Sequence, residues 1–338
     1  MNILVTGGAG YVGSVVIPEL VNHGYTVKCL DRFFFGMDYL SQKQFENKVK
    51  LVKDDIRWFN PKILDGIDVV MDLAALSNDP VGDLDPTKTY EINHLGRARV
   101  AKLSKESGVK RYILASSASI YGQQKEIVDE NAPIKPLTAY SKANRKAEED
   151  VLPLNDDNFT VTALRFSSVY GVSPRMRFDT AVNVMVLDLF NKNKILVRGQ
   201  GNKRPFVHIS DVARAYEIVI KASKEKIACQ IFNVGSDEQN YEMGQLAKEI
   251  TNGVGKECQL ELKDSPDHRS YAASFKKIRE TLNFLPNHTV KQGAKEIYEA
   301  LESGMLKETK KTKTVEWYKT LLSEKGLAQE VLLNGILF

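Results

Sequence analysis

Short apolar runs alternate, through the first half of the chain, with longer stretches in which apolar residues recur every three or four positions. NILVTG, TVKCLD, KLVKDDI, VVMDLAA and RYILASS are rich in Val, Ile and Leu. That is how strands buried on both faces of a parallel sheet read. Between them VGSVVIPELVNHG, NHLGRARVAKLSKESG and AYSKANRKAEEDVL carry helical spacing. Pro18 inside the first of these predicts a kink or an early stop. Strand and helix in repeated alternation predict a doubly wound parallel α/β sheet. After about Phe166 longer loops appear (GVSPRMRFD, RGQGNKRP), followed by shorter pieces of both kinds. The pattern divides the chain into residues 1–165 and a smaller α/β lobe over 166–338, with a return to the first sheet near 205–236. The end, VEWYKTLLSEKGLAQEVLLNGILF, reads as a helix with an apolar tail.

Composition narrows the class. The 338 residues are 43% hydrophobic and 27% charged, with a net charge of +4. These are values of an ordinary soluble protein, with no basic footprint for nucleic acid. Cys29, Cys229 and Cys258 are far apart, without metal-ligand spacing, and predict a reducing compartment and no metal. The chain opens directly on a strand, so neither a leader nor a membrane span is expected, and the expected location is the cytoplasm.

Candidate chemistry begins with TGGAGYVG, which sets Gly7, Gly10 and Gly13 directly after the first strand and before a helix, with Tyr11 and Val12 between them. Glycines there let a pyrophosphate approach the backbone at a helix N-terminus. Asp31 ends the next strand, where a carboxylate accepts both adenosine-ribose hydroxyls and repels a 2′-phosphate. This Rossmann-type arrangement favours NAD; Arg32 beside it is the one feature that favours NADP.

These motifs, with several others in the same order along the chain, resemble the extended short-chain dehydrogenase/reductase family, in particular its NAD-dependent nucleotide-sugar epimerases and dehydratases of the UDP-glucose 4-epimerase kind. The resemblance runs from Met1 to about residue 300. It implies that Asp55 and Ile56 in KDDIR hold the adenine, and that Ala74 and Ala75 in DLAAL lie beneath the cofactor. Asn93, Phe166 and Ser168 join the cofactor set. It also places Ser117 of SSASIYG at the catalytic Ser/Thr position, with Ser119 near the sugar. RPFVHISDVARA and DHRSY supply Arg204, Arg269 and Tyr271 for a nucleotide-diphosphate sugar. Arg175 and Arg177, from GVSPRMRFD, come from a separate loop and are expected to converge with Arg204 and Arg269 on the diphosphate, helped by Asn183. Ser77 and Asn78 can face the sugar or shape a turn. The likeness makes His208 and Asp211 structural; Tyr121, Tyr170 and Tyr271 read as packing groups rather than acids, although Tyr271 travels with Arg269. It also implies a homodimer built on two helices, around 93–107 and 140–152. Leu95, Val100 and Leu103 suit that face or the sheet equally.

One motif departs from the family. Its catalytic tyrosine is followed four residues on by a lysine, and here Tyr140 is followed by Asn144. A phenol of pKa near 10 needs help to act as a base at neutral pH. A cation 5 Å away supplies about 3 kcal/mol at an effective dielectric near 20, or about two units of acidity. Asn144 can still bond the nicotinamide ribose but carries no charge, and Lys142 and Lys146 lie off its helical face. Slow turnover is expected, with Asn144→Lys raising it.

The positions after Ser117 are Ala118 and Ser119, where 4,6-dehydratases and UDP-glucuronate decarboxylases carry an acid. Dehydration and decarboxylation are therefore disfavoured. Three readings stay open: a C4 epimerase using Tyr140 as base and Ser117 as its partner, a C4 dehydrogenase or 4-keto reductase, and a non-catalytic NAD- or sugar-nucleotide-binding protein.

Overall fold

The structure, a computed structural model, describes residues 1–265 and 267–337. Its centre is a seven-stranded sheet in which every neighbouring pair is parallel. The spatial order is Gln230–Val234, Thr160–Phe166, Arg111–Ser117, Val69–Asp72, Asn2–Thr6, Thr26–Asp31, Val49–Lys53. The order reverses at Asn2–Thr6 and Val69–Asp72, the place where a doubly wound sheet opens a crevice at its carboxyl edge. Each of the five apolar runs overlaps one of these strands, and Val69–Asp72 is buried throughout. A strand buried on both faces has no reason to alternate, which is why these runs read as continuous.

The helix Gly13–Asn22 runs through Pro18 without stopping. Val16, Ile17 and Leu20 are buried against the sheet, so tertiary packing outweighs the hydrogen bond that proline removes. Ala139–Val151 is capped by a reciprocal Thr138–Ser141 pair. The second expected helix, NHLGRARVAKLSKESG, is not regular. It is preceded by a π turn over Glu91–Gly96 and becomes α-helical over Arg97–Glu106. A π turn carries an extra residue and re-phases the helical turns after it.

Beyond Phe166 the chain forms small sheets. Asn240–Glu242, Lys203–His208 and Ser168–Tyr170 make one. Gln259–Lys263 pairs with Lys194–Arg198, and Ser270–Ala273 with Gln123–Val128. The helices Ala181–Lys192, Met243–Val254 and Val290–Glu302 share a second core with these pieces, built on Val186, Leu246 and Ile297. The terminal stretch is two helices, Thr314–Ser323 and Lys325–Val331. Trp317, Tyr318 and Leu321 pack on Phe34 and Val81, and the Trp317 indole donates to the Phe34 carbonyl at 2.7 Å. Among the described residues, no helix is long and apolar enough to cross a membrane.

Candidate active site

A cavity of about 900 Å³ opens at the carboxyl edge of the sheet, between the glycine loop and the small sheets. Its walls carry Gly7, Gly10, Tyr11, Val12, Gly13, Asp31, Arg32, Asp55, Ile56, Ala74 and Ala75 at one end. Ser77, Ser117, Ser119, Tyr140, Asn144, Phe166 and Ser168 line it as well, as do Arg175, Arg204, Arg269 and Tyr271.

The glycine loop is packed too tightly for side chains. A Cβ on Gly7 would lie 2.7 Å from the Ala74 backbone, and one on Gly13 2.4 Å from the Gly8 carbonyl. Gly7 also sits at φ +66°, which glycine tolerates at no steric cost. Asp31 accepts from the Ala9 and Phe33 amides at 2.9 and 2.7 Å, leaving acceptor capacity on both oxygens. Burial raises its pKa, opposed by those amides and by Arg175. Arg32 is drawn away from Asp31. Its Nη1 donates to Asp55 at 2.8 Å and its Nη2 to the Ile336 carbonyl at 2.7 Å. Asp55 is held in turn by Arg57 through three donors, at 2.9 to 3.0 Å. Despite the desolvation that opposes it, these arginine contacts keep the Asp55 carboxyl below its ordinary range.

Two expected contact residues do not line the cavity. Asn93 is fully buried, and its amide clamps the Leu76 backbone, accepting from N–H at 2.8 Å and donating to C=O at 2.9 Å. Asn183 is also fully buried. It donates to the Tyr11 hydroxyl and the Arg177 carbonyl and accepts from the Gly171 amide. With their amides committed, both shape the wall from behind.

The four arginines fall into two pairs. Arg204 and Arg269 share Asp267, at 3.1 and 2.6 Å, and Arg269 also pairs with Asp79. These contacts depress the Asp267 carboxyl to about 2, against a desolvation that opposes them. Arg175 stands instead with the glycine loop. Its backbone N–H meets Ser14, its guanidinium covers the Phe35 ring at 3.5 Å, and its Nη2 donates to Thr314 at 3.0 Å. Its Nε and Nη1 are buried without a partner, as is Nη2 of Arg177. Burial, aided by Arg177, lowers the Arg175 pKa to about 10. Unpartnered guanidinium donors of this kind, beside a glycine loop at a helix N-terminus, fit a pyrophosphate. The residues present therefore fit a dinucleotide, with Asp31 facing the adenosine end.

Tyr140 lies in the first turn of the helix Ala139–Val151 and lines the cavity. Its phenol is raised by burial and by Asp79, and lowered by hydrogen bonding with Ser117 and by the charges of Arg97 and Arg177. Asn144 is 1% exposed. Its amide donates to the Tyr140 carbonyl and accepts from Arg97 Nη1, both at 2.9 Å.

Arg97 is the cavity residue the sequence reading passed over. It is equally buried, bonded through Nε to Asp72 at 3.1 Å and through Nη2 to the carbonyls of Asp72 and Ala115. The signal was available: Arg97 occupies the same face as Val100, Ala101 and Ser104, and a charge on the apolar face of a helix needs a partner. Asp72, inside an apolar run, was the other half of it.

Elsewhere, ligand atoms of His208, Asp211 and His288 lie within 4.8 Å of one another. Each is already committed: His208 to Glu296 and Ser210, and His288 to Asp211. Tyr121 is buried and bonded to Asn233 and Arg165. On the outer helices, Leu95 is 57% exposed while Val100 is in the core.

Comparison with known proteins bears on the whole of this arrangement. The UDP-glucose 4-epimerase of Lactobacillus helveticus is 28% identical over 312 residues, covering 85% of this chain and 93% of that protein. UDP-glucuronic acid decarboxylase 1 of Arabidopsis thaliana is 28% identical over 308 residues, covering 87% and 68%. Among solved structures, the UDP-glucuronic acid 4-epimerase of Bacillus cereus, in complex with UDP-glucuronic acid and NAD, superposes with a TM-score of 0.80. It is 23% identical, covering 90% of this chain and 99% of that one. Residues 3–235 match the model of the NAD dependent epimerase/dehydratase family. The chain belongs to that family, with NAD as its cofactor.

Proposed function

We propose that the protein is an NAD-dependent nucleotide-sugar 4-epimerase. The observation that carries this reading is the company Tyr140 keeps. It shares one cavity with Ser117 and the glycine loop, and the two positions after Ser117 are Ala118 and Ser119. A base for the sugar hydroxyl is present, and the positions where an acid would serve elimination or decarboxylation hold none. Tyr140 takes the proton from the C4 hydroxyl while Ser117 holds that oxygen in place. NAD, when bound, supplies the hydride acceptor. Once the 4-keto sugar has turned, the hydride would return to the opposite face of C4 while Tyr140 gives its proton back to the C4 oxygen, which completes inversion. Arg204, Arg269 and Tyr271 take the sugar nucleotide, exchanging Asp267 and Asp79 for its phosphates.

The test is absorbance at the reduced-nicotinamide band as the protein meets a panel of nucleotide-diphosphate sugars with NAD, and then analysis of the sugars. A new C4 epimer without accumulating NADH is expected. NADH growing with a keto product would instead establish a C4 dehydrogenase, and binding of both ligands without turnover a sensor. Exposed Leu95, beside the helix pair 97–106 and 139–151, favours a homodimer, which light scattering in solution tests.

A further inference from the structure

We propose that Arg97 replaces the missing lysine as the cation that serves Tyr140, with Asn144 as its link. The inference rests on the reading of Tyr140 as the base. Asn144 occupies the position one helical turn after Tyr140 and is bonded at both ends, to the Tyr140 carbonyl and to Arg97 Nη1. Its amide therefore spans the place a lysine would fill and joins the tyrosine's turn to a guanidinium from another helix. Arg97 lines the same cavity as Tyr140.

The approach of Arg97 has its own structural cause. The π turn Glu91–Gly96 ends immediately before it. A side chain on Gly96 would meet Ile56 at 2.9 Å, so the turn sits close against the cofactor end of the sheet. Asn93 fixes it there by clamping Leu76. From this position Arg97 enters the core. Asp72 holds its Nε, while Thr6 and Tyr112 hydroxyls, each at 2.5 Å, hold Asp72. Four of the five guanidinium donors are thus fixed, giving a charge that needs no reorganisation when the phenolate forms.

Other groups also act on the phenol. Asp79, from the short helix Asp79–Gly82, opposes ionisation, and its carboxylate is engaged by Arg269 and Thr138. Ser117 and Arg177 favour it. Arg177 is paired with Asp179 at 2.8 Å and bonded to Ser77 at 3.3 Å, as Arg97 is paired with Asp72. Arg97 differs in being bonded to the residue one helical turn after Tyr140. On this account Asn144 does not mark a lost activity. It is the neutral, bidentate residue that an arginine arriving from the side requires, since a lysine there would face a buried like charge.

The test is made without cofactor or substrate. A ring-fluorinated tyrosine at position 140, followed by fluorine NMR, reports the ionisation of that phenol alone. Arg97→Gln is expected to move the midpoint upward, and the Arg97→Gln/Asn144→Lys double variant to bring it back. Turnover at neutral pH, where a sugar substrate has been found, is expected to fall by roughly ten-fold or more in the single variant and to recover in the double. An unchanged midpoint in Arg97→Gln, or a double variant that stays high, overturns the proposal. Should Arg97→Gln not fold, Asn144→Lys in the intact chain decides. Lower thermal stability with no gain in turnover supports the proposal, and a ten-fold gain overturns it. Because the phenol titration needs no sugar, failure to find a substrate leaves it readable.

Discussion

Arg97 and Arg175 are both buried arginines on the wall of one cavity, and they are held in opposite ways. Arg97 has its donors committed to Asp72, Ala115 and Asn144, and its charge is balanced by Asp72 within the fold. Arg175 has Thr314 and the face of Phe35, and two of its nitrogens have nothing. Burial is expensive for an ion and more so for one without partners. The first arginine is therefore a finished part of the protein. The second has donors to spare, and under the proposed function a pyrophosphate would take them up.

The largest expected effect falls between the two. Tyr140→Phe removes the phenol proposed as the base, and should lower the proposed epimerisation by roughly 10²- to 10⁴-fold. NAD affinity, followed by calorimetry, should hardly change. A loss of binding as large as the loss of rate would make Tyr140 a cofactor residue first.

Next comes Arg97→Leu, which leaves Asp72 buried without its counter-ion. It should cost about 3–5 kcal/mol of stability, read from urea unfolding. Arg175→Leu sharpens the contrast because its two effects have opposite signs. Loss of charged donors to a pyrophosphate costs about 1.5–3 kcal/mol, so NAD should bind roughly ten- to hundred-fold more weakly. The unliganded protein should be no less stable than before. A stability loss matching that of Arg97→Leu would erase the distinction between them.

The smallest effect concerns the second arginine pair. Asp267, depressed to about 2 by Arg269 and Arg204, has a folded pKa below its unfolded value near 4. Its contribution is therefore present above pH 4 and lost as pH falls towards 2. Thermal melting across that window should be less steep in Asp267→Asn, and equal slopes would show that the pair is not coupled to folding.

Much of this could be read along the chain. The seven-stranded sheet announces itself in runs such as VVMDLAA because a strand covered on both faces is apolar throughout. The glycine loop was legible because its spacing answers a local constraint, the close approach of backbone to backbone at Gly7 and Gly13. Arg97 was missed because its meaning is not local. It depends on Asp72, 25 residues earlier, and Asn144, 47 residues later, and on a π turn that periodicity does not reveal. Asn93 and Asn183 erred in the other direction. Their residue type suits a ligand, but backbone groups reached them first. The arginines of the second lobe all line the cavity, but their separate partners, Thr314 for Arg175, Asp179 for Arg177 and Asp267 for Arg204 and Arg269, could not be read from loops of unknown path.

The terminal helices carry a consequence for timing. Tyr318 forms part of the wall near Asp31, Trp317 is bonded to the Phe34 carbonyl, and Arg32 grips the Ile336 carbonyl. Release of a dinucleotide from that end is therefore expected to depend on how long residues 314–337 stay docked. A dehydrogenase must exchange its dinucleotide at every cycle and would be throttled by such a latch. A catalyst that hands the hydride back within each cycle is indifferent to it, and can keep one molecule through many turnovers.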